Sequence, residues 1–384
     1  MKIIGVTGTN GKTSTTVLIY DMLRGLGKNT AICGTLGMRY GNESHDVTLT
    51  TPPKEVLDYH MKRMEEQNVE YFVMEVSSHA LHQNRVKGIT FDVGIFTNLT
   101  QDHLDYHKTM DEYKAAKRKL LTMSKSMVFN IDDIAGEEFF HEFYKDDAPI
   151  DCMTIATACD CADVTASHIE LTEYGTEFNL NFLQTKSHVK IPLIGKFSVY
   201  NFMSAVSAMH LLGFSYDEIT AAIPEIKPVR GRAQIIPTDE DFTIMLDYAH
   251  TPDALENILT SISEFHQGRI VTVFGCGGDR DRSKRPLMGE IASKYSDFVY
   301  LTSDNPRTED PLRIMTDILP SICEGGKPYR AIENRERAIT EAIRNAMNDD
   351  FILIAGKGHE TYQIIGNEKV EFDEEEIVRK ALQF

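Results

Sequence analysis

An α/β protein of two domains, each built on a mainly parallel sheet, is the fold class this sequence predicts, and three observations carry it. Short apolar runs alternate with amphipathic segments from the first residues onward, the signature of parallel strands covered by helices. The first strand passes into its helix through a glycine-rich turn ending in Lys12-Thr13. After proline and glycine interrupt the pattern at Pro228-Val-Arg-Gly-Arg232, a second alternating series begins.

In chain order, apolar runs at residues 3–6, 30–36, 71–76, 93–97 and 126–130 read as strands, with helical patterns between most of them. From 164 to 194 the texture changes. Phe178, Leu180 and Phe182 alternate with polar residues and Glu173-Tyr-Gly-Thr176 supplies a turn, which predicts antiparallel strands added to the same sheet. Helical periodicity returns over 198–212. The second series places strands at 243–246, 270–274, 298–301 and 351–354, separated by helices, so that 1–232 reads as a P-loop domain and 233–384 as a Rossmann-like, doubly wound one. The acidic run from Glu371 to Glu376 reads as a solvated helix start.

Composition bounds the function classes. With 384 residues and 42% hydrophobic content the chain supports two sizeable cores. A formal charge of -18, from 40 basic and 58 acidic side chains, argues against a nucleic-acid surface, which needs clustered Lys and Arg. An anionic ligand must then be held by local basic groups. The six cysteines lack the paired spacing of a disulfide framework or zinc site, and Cys159-Asp160-Cys161 is too tight for a zinc knuckle, so reduced thiols are expected. No apolar stretch approaches ~20 residues, which excludes a membrane-spanning helix and leads to the expectation of a cytoplasmic protein.

The turn Gly8-Thr9-Asn10-Gly11-Lys12-Thr13-Ser14 points to a nucleoside triphosphate. Gly8 and Gly11 have no Cβ, so the backbone can turn tightly and offer its amides to phosphate oxygens, and the helix that follows adds its positive end. Lys12 would reach the terminal phosphates and Thr13 would hold magnesium. The usual spacing wants a glycine five residues before Gly11; Val6 stands there instead.

Glu75 closes the strand at 71–76, at a carboxyl end where ligands of open α/β sheets bind, and is a candidate magnesium ligand. Thr97-Asn-Leu-Thr-Gln-Asp-His-Leu-Asp-Tyr-His107 adds oxygen and nitrogen donors on the same edge. Thr109-Met-Asp-Glu112 makes a capping box for a helix carrying Lys114, Lys117, Arg118 and Lys119, which by themselves read as a solvated basic face.

Taken together, Gly8-Thr-Asn-Gly-Lys-Thr13, Glu75-Val-Ser-Ser-His-Ala-Leu81, Thr97-Asn-Leu-Thr-Gln-Asp-His-Leu-Asp105 and Asp247-Tyr-Ala-His-Thr-Pro252 resemble the Mur ligases, with the MurE type the nearest in pattern. The likeness covers nearly the whole chain. It implies ATP-dependent phosphorylation of a substrate carboxylate and attack of an amino group on the acyl phosphate. By that resemblance Lys12 would stabilise the migrating phosphoryl group, with Thr13, Glu75 and His103 around one or two magnesium ions, and Lys117 would be a carbamylated lysine serving the second metal. Asn201 matches an adenine-side residue, and Arg232 and Asp247 match groups contacting phosphate and ribose. The nucleotide would then lie between two domains, whose closure would exclude water.

The second domain carries Gly277-Gly-Asp-Arg280, Asp304-Asn-Pro-Arg307 and Gly356-Lys-Gly-His-Glu360, each just after an apolar strand. The stretch Asp304, Asn305, Pro306, Arg307 resembles the meso-diaminopimelate-adding members. Chemically, Arg307 could grip the distal carboxylate bidentately, with Arg280 as a second cation and Glu360 for the distal ammonium; the competing reading has Arg307 capping a turn through Asp304. Gly356 belongs to the same substrate set. Thr50, Thr51, Ser77, Gln83 and Arg85 match positions that contact the muramoyl-peptide acceptor.

In one respect the sequence departs from the family pattern. Members of the MurE type carry a small uridine-binding domain before the P-loop, whereas here the loop follows Met1 almost at once. Three readings stay open: an amino-acid ligase acting on UDP-MurNAc-L-Ala-D-Glu, a ligase for a carboxylate without a uridine handle, and a nucleotide-binding, non-catalytic partner subunit. A separate uridine-binding polypeptide is compatible with the first.

Overall fold

The computed structural model describes residues 1–145 and 151–383. The chain forms two compact units, one of Met1–Thr100, His107–Glu170 and Tyr174–Lys227, the other of Gln101–Tyr106, Leu171–Glu173 and Pro228–Phe384.

The first unit is built on one sheet of eleven strands. In chain order these are β1 (Lys2–Thr7), β2 (Thr30–Gly34), β3 (Gly37–Tyr40), β4 (Glu43–His45), β5 (Tyr71–Glu75), β6 (Phe91–Phe96), β7 (Ser124–Asn130), β8 (Cys152–Ala156), β9 (Val164–Thr172), β10 (Gly175–Phe182) and β11 (Thr185–Ile191), with spatial order β11-β10-β9-β8-β7-β6-β1-β5-β2-β3-β4. The strands from β2 to β9 in that order run parallel. Antiparallel pairs β3–β4 and β10–β11 extend the two ends.

Both faces of the parallel part are covered, which is why its strands read as continuous apolar runs rather than alternating ones. Ile4, Val6 and Val73 pack with Leu18, Ile19, Met22, Phe202, Met203 and Val206 of the helices Lys12–Gly25 and Lys196–Leu211. Their neighbours Ile3, Phe72 and Met74 point the other way, onto Leu57 and Met64 of the helix Lys54–Glu66. The sequence-expected antiparallel segment does join this sheet: β10 and β11 pair antiparallel, while β9 pairs with β8 in parallel.

The second unit holds a six-stranded sheet and a separate hairpin. Its strands are β12 (Gln234–Ile236), β13 (Thr243–Asp247), β14 (Ile270–Phe274), β15 (Phe298–Leu301), β16 (Tyr329–Ala331), β17 (Phe351–Ala355) and the paired β18 (Tyr362–Ile365) and β19 (Glu368–Glu371). The order β12-β13-β17-β14-β15-β16 is parallel except for the edge strand β12. The carboxyl ends of β13, β14, β15 and β17 therefore share one edge, and the loops beginning at Tyr248, Gly275, Thr302 and Gly356 rise from it.

Two expectations need correction. Cys159 and Cys161 are joined in a disulfide rather than free, because the turn after β8 brings their Cα atoms to 5.4 Å, within bridging reach. The acidic run does start a helix, Glu374–Ala381 capped by Asp373, but Glu374 is buried rather than solvated: its carboxylate accepts from Arg335 Nε at 2.7 Å. Among the described residues no helix is long and apolar enough to cross a membrane.

Candidate functional site

In the first unit the phosphate-type loop leaves β1 at its carboxyl end and turns into the helix at Gly11, whose φ of +83° is the left-handed region that glycine tolerates. A side chain at Gly11 would meet Asn201 Oδ1 at 2.4 Å, and one at Gly8 would meet Thr97 Oγ1 at 1.8 Å. The loop is thus pressed between β6 and the helix carrying Asn201. Thr15 donates to Asn201 at 3.2 Å and Thr97 donates to the Asn10 carbonyl at 2.7 Å, which hold the loop in place.

Lys12 curls back to donate to the Gly8 and Thr9 carbonyls at 2.9 and 2.7 Å. Lys117, 1% exposed, donates to the Gly8 carbonyl at 2.6 Å from the helix Met110–Arg118, whose start is capped by Thr109 accepting from the Glu112 amide. The basic face expected of that helix is therefore divided: Lys117 points inward, while Lys114 and Arg118 pair with Glu138 and Glu142. Tyr113 gives it a cation–π neighbour, with Nζ 4.3 Å from the ring centroid.

Glu75, buried at the end of β5, is the hub. Its Oε2 accepts from Thr13 Oγ1 at 3.0 Å and its Oε1 from the Thr35 amide at 2.7 Å. Thr35 sits just past the end of β2 and was missed by sequence reasoning, although the strand-end argument that found Glu75 applies to it as well. A carboxylate and a hydroxyl at the mouth of a phosphate loop fit magnesium, which keeps several waters and takes one or two carboxylates plus substrate oxygens. Next to this hub Thr51 donates to the Glu75 carbonyl and accepts from the Ser77 amide, while Arg85 donates to Gln83 Oε1 and to the Thr51 carbonyl at 2.9 Å. Thr50 lies beside Thr35 at 3.2 Å. The five acceptor-side residues named from the sequence are thus contiguous.

His103 belongs by its contacts to the second unit, where it lies 3.4 Å from Asp102, a buried carboxylate also faced by His250 and Lys284. Burial raises Asp102, but its hydrogen bond with His250 and the nearby cations hold it well below the usual carboxylate range.

In the second unit Asp247 ends β13 and is pushed upward by burial. Its two oxygens accept from the Ala233 and Ala249 amides at 2.6 and 2.7 Å, tying the 228–233 stretch to the strand end. Arg232 stacks over Tyr248, its Cζ 4.4 Å from the ring centroid.

The loop after β15 places Asp304, Asn305 and Arg307 on the same edge as the loop after β17. Asn305 donates to Glu360 Oε2 at 2.9 Å. Arg307, at φ +51°, donates to the Gly278 carbonyl at 2.9 Å and not to Asp304, so the turn-cap reading does not hold. Burial and then the charge of Arg280 pull Arg307 below its ordinary value, which brings the two arginines into one field. Arg280 is itself exposed and donates to the Asp279 carbonyl. Sequence reasoning passed over Lys357, Arg335 and Glu374, which lie beneath this loop pair. Lys357 stood inside a quoted motif, yet nothing in a linear sequence says that a lysine is buried.

The comparisons with known proteins agree on one family. Residues 6–209 match the Mur ligase middle domain and residues 231–358 match the Mur ligase, glutamate ligase domain. The chain is 44% identical over 385 residues to UDP-N-acetylmuramoyl-L-alanyl-D-glutamate--2,6-diaminopimelate ligase 1 of Clostridium acetobutylicum, covering 100% of this chain and 78% of that protein. It is equally 44% identical over 392 residues to the corresponding ligase of Geobacillus kaustophilus, covering 79% of it. A solved structure of a UDP-N-acetylmuramoyl-L-alanyl-D-glutamate--2,6-diaminopimelate ligase is 35% identical, with a TM-score of 0.71, covering 100% of this chain and 78% of that one. Mycobacterium tuberculosis folylpolyglutamate synthase, 18% identical with a TM-score of 0.74 over 92% of this chain and 88% of that one, shares the fold.

Proposed function

The chain belongs to the Mur ligase family, and from that premise we propose that it joins an amino acid to a substrate carboxylate through an acyl phosphate, using ATP and magnesium. The amine is meso-diaminopimelate and the acceptor UDP-MurNAc-L-Ala-D-Glu, as the names of its relatives indicate. The observation that carries the choice of amine is the meeting of Asn305, Arg307 and Glu360 on one edge of the second sheet, with Arg280 near enough to act on Arg307.

In this reading the loop amides and Lys12 hold the β- and γ-phosphates, and Lys12 swings from the Gly8 and Thr9 carbonyls to follow the migrating phosphoryl group. Magnesium, where bound, neutralises the phosphate charge, and Thr13 and Glu75 hold it. Thr50, Thr51, Ser77, Gln83 and Arg85 position the acceptor carboxylate near that point. Asn201, Arg232 and Asp247 serve the nucleoside. Carbamylation of Lys117 would exchange its ammonium for an anion able to orient a second metal. Its burial against the Gly8 carbonyl supports a role at the phosphates rather than at the surface. The domain division at 232/233 belongs to the same proposal.

Incubation with ATP, magnesium, diaminopimelate and UDP-MurNAc-dipeptide tests it: tripeptide and phosphate should form in equal amounts. Phosphate release that does not depend on any amino acid would refute the reaction. Competition between uridylated and uridine-free acceptors decides whether the uridine handle is used, and adding back a separate uridine-binding polypeptide tests whether one assists.

A further inference from the structure

Beneath the proposed amine site lies a lysine that the ligase chemistry does not require. Lys357 is 0% exposed and stands on the loop just after β17. Its ammonium donates to Asn305 Oδ1 at 3.0 Å and to Glu360 Oε2 at 2.9 Å. Asn305 Oδ1 also accepts from the Ile364 amide at 2.8 Å, and its Nδ2 donates to the same Glu360 Oε2. These bonds fix the direction of the Asn305 amide, because its oxygen faces two donors and its nitrogen faces a carboxylate. They also fix Glu360. Both of its bonds end on Oε2, and among the described residues Oε1 receives none.

The charges under this loop pair are crowded together. Arg335 and Glu374 neutralise one another in a fully buried pair at 2.7 Å. Lys357 and Arg307 then face two carboxylates, Glu360 and the buried Asp304, whose Oδ2 has no hydrogen-bond partner among the described residues. Oδ2 lies so close over Gly356 that a Cβ there would meet it at 2.8 Å, so both carboxylates flank the same short loop. A buried carboxylate without a full complement of partners favours the arrival of a cation.

We propose that Lys357 is a positioning residue for amine selection: it pins Glu360 by Oε2 and Asn305 by Oδ1, so that Glu360 Oε1 and the second Asn305 N–H face the incoming substrate. Lysine at 357 therefore sets the direction of the recognition pair, without touching substrate. The inference rests on the amine-site reading above.

The test is steady-state kinetics of the full chain with Lys357→Met, Lys357→Arg and Glu360→Gln, varying ATP and diaminopimelate separately. Lys357→Met should raise the KM for diaminopimelate about ten-fold or more, while the KM for ATP stays within about two-fold. Its preference for diaminopimelate over an amino acid with an uncharged side chain should fall in parallel. Lys357→Arg, which keeps the cation, should recover most of that preference. Combining Lys357→Met with Glu360→Gln should add little to either alone, since both disturb one pair. An unchanged amine KM in Lys357→Met, or equal rises for ATP and amine, overturns the inference. If Lys357→Met fails to fold on thermal melting, the comparison of Lys357→Arg with Glu360→Gln decides: loss of amine preference in the second and not the first is required. Failure of the unaltered chain to use diaminopimelate refutes the substrate reading instead, and the same series is then read with the amine it does accept.

Discussion

Glu75 ties several parts of the first unit together, because one buried carboxylate at a strand end serves Thr13 and Thr35 at once. Glu75→Gln keeps the shape and removes the charge. It should lower kcat by about 10²-fold, and the magnesium concentration for half-maximal rate should rise, as a phosphate-release titration would read. Gly11→Ala would act differently: at φ +83° and 2.4 Å from Asn201, the added methyl strains the loop, so the KM for ATP should rise before kcat falls. His107, buried with its Nε2 2.9 Å from Ser78 Oγ, carries a pH dependence. Burial, with His79, His82 and Lys117 nearby, pushes it down from 6.5 to about 4. Between those values the unfolded chain binds a proton that the folded one does not, so stability is full above pH 6.5 and falls as pH drops toward 4. The loss is on the order of 3 kcal/mol. His107→Gln should flatten the melting temperature over that window; an unchanged slope would assign it to other groups.

The elements explain why these side chains can be placed at all. Lys117 reaches the Gly8 carbonyl because the helix Met110–Arg118 starts where Thr109 caps it. Thr109→Ala should cost about 1 kcal/mol in urea unfolding and, by fraying that first turn, lower ligase activity more than an equal destabilisation elsewhere. In the second unit the hairpin β18–β19 does comparable work. Arg307 donates its amide to the Ile364 carbonyl, and Gly366 donates to Arg307, so the hairpin clasps the loop that contains a left-handed arginine. Neither strand stood out in the sequence, since a short two-stranded hairpin has no buried face to impose an apolar period. The strands β3 and β4 escaped because four and three residues are too few to display a period, whereas β1, β5, β14 and β17 were legible as uninterrupted apolar runs.

Across the molecule the buried ion pair of Arg335 with Glu374 tells a burial argument apart from a charge argument. Burial raises the Glu374 carboxyl, and Arg335 opposes that shift. Removing one partner strands the other, so Arg335→Met should destabilise the chain by about 3–5 kcal/mol, whereas Arg335→Met combined with Glu374→Leu should restore much of that loss in denaturant melts. Larger damage from the pair than from the single change would mean that the ion pair itself, not its completeness, holds the helix Glu374–Ala381 to the sheet. The chain's acidic balance is consistent with the local character of its cations: the loop lysines and Arg307 lie at strand ends rather than across a broad basic surface.

By itself the sequence determined the two parallel sheets, the phosphate-type loop and the residues at the strand ends. Those features arise from local periodicity and from turn chemistry carried by neighbours in the chain. Only the tertiary structure decided which lysines are buried, which way the Asn305 amide points, that Glu374 lies inside and that His250 faces Asp102. Each of these depends on groups far apart in the chain. Burial and partnership are properties of the packed whole, and no residue carries them in its own letter.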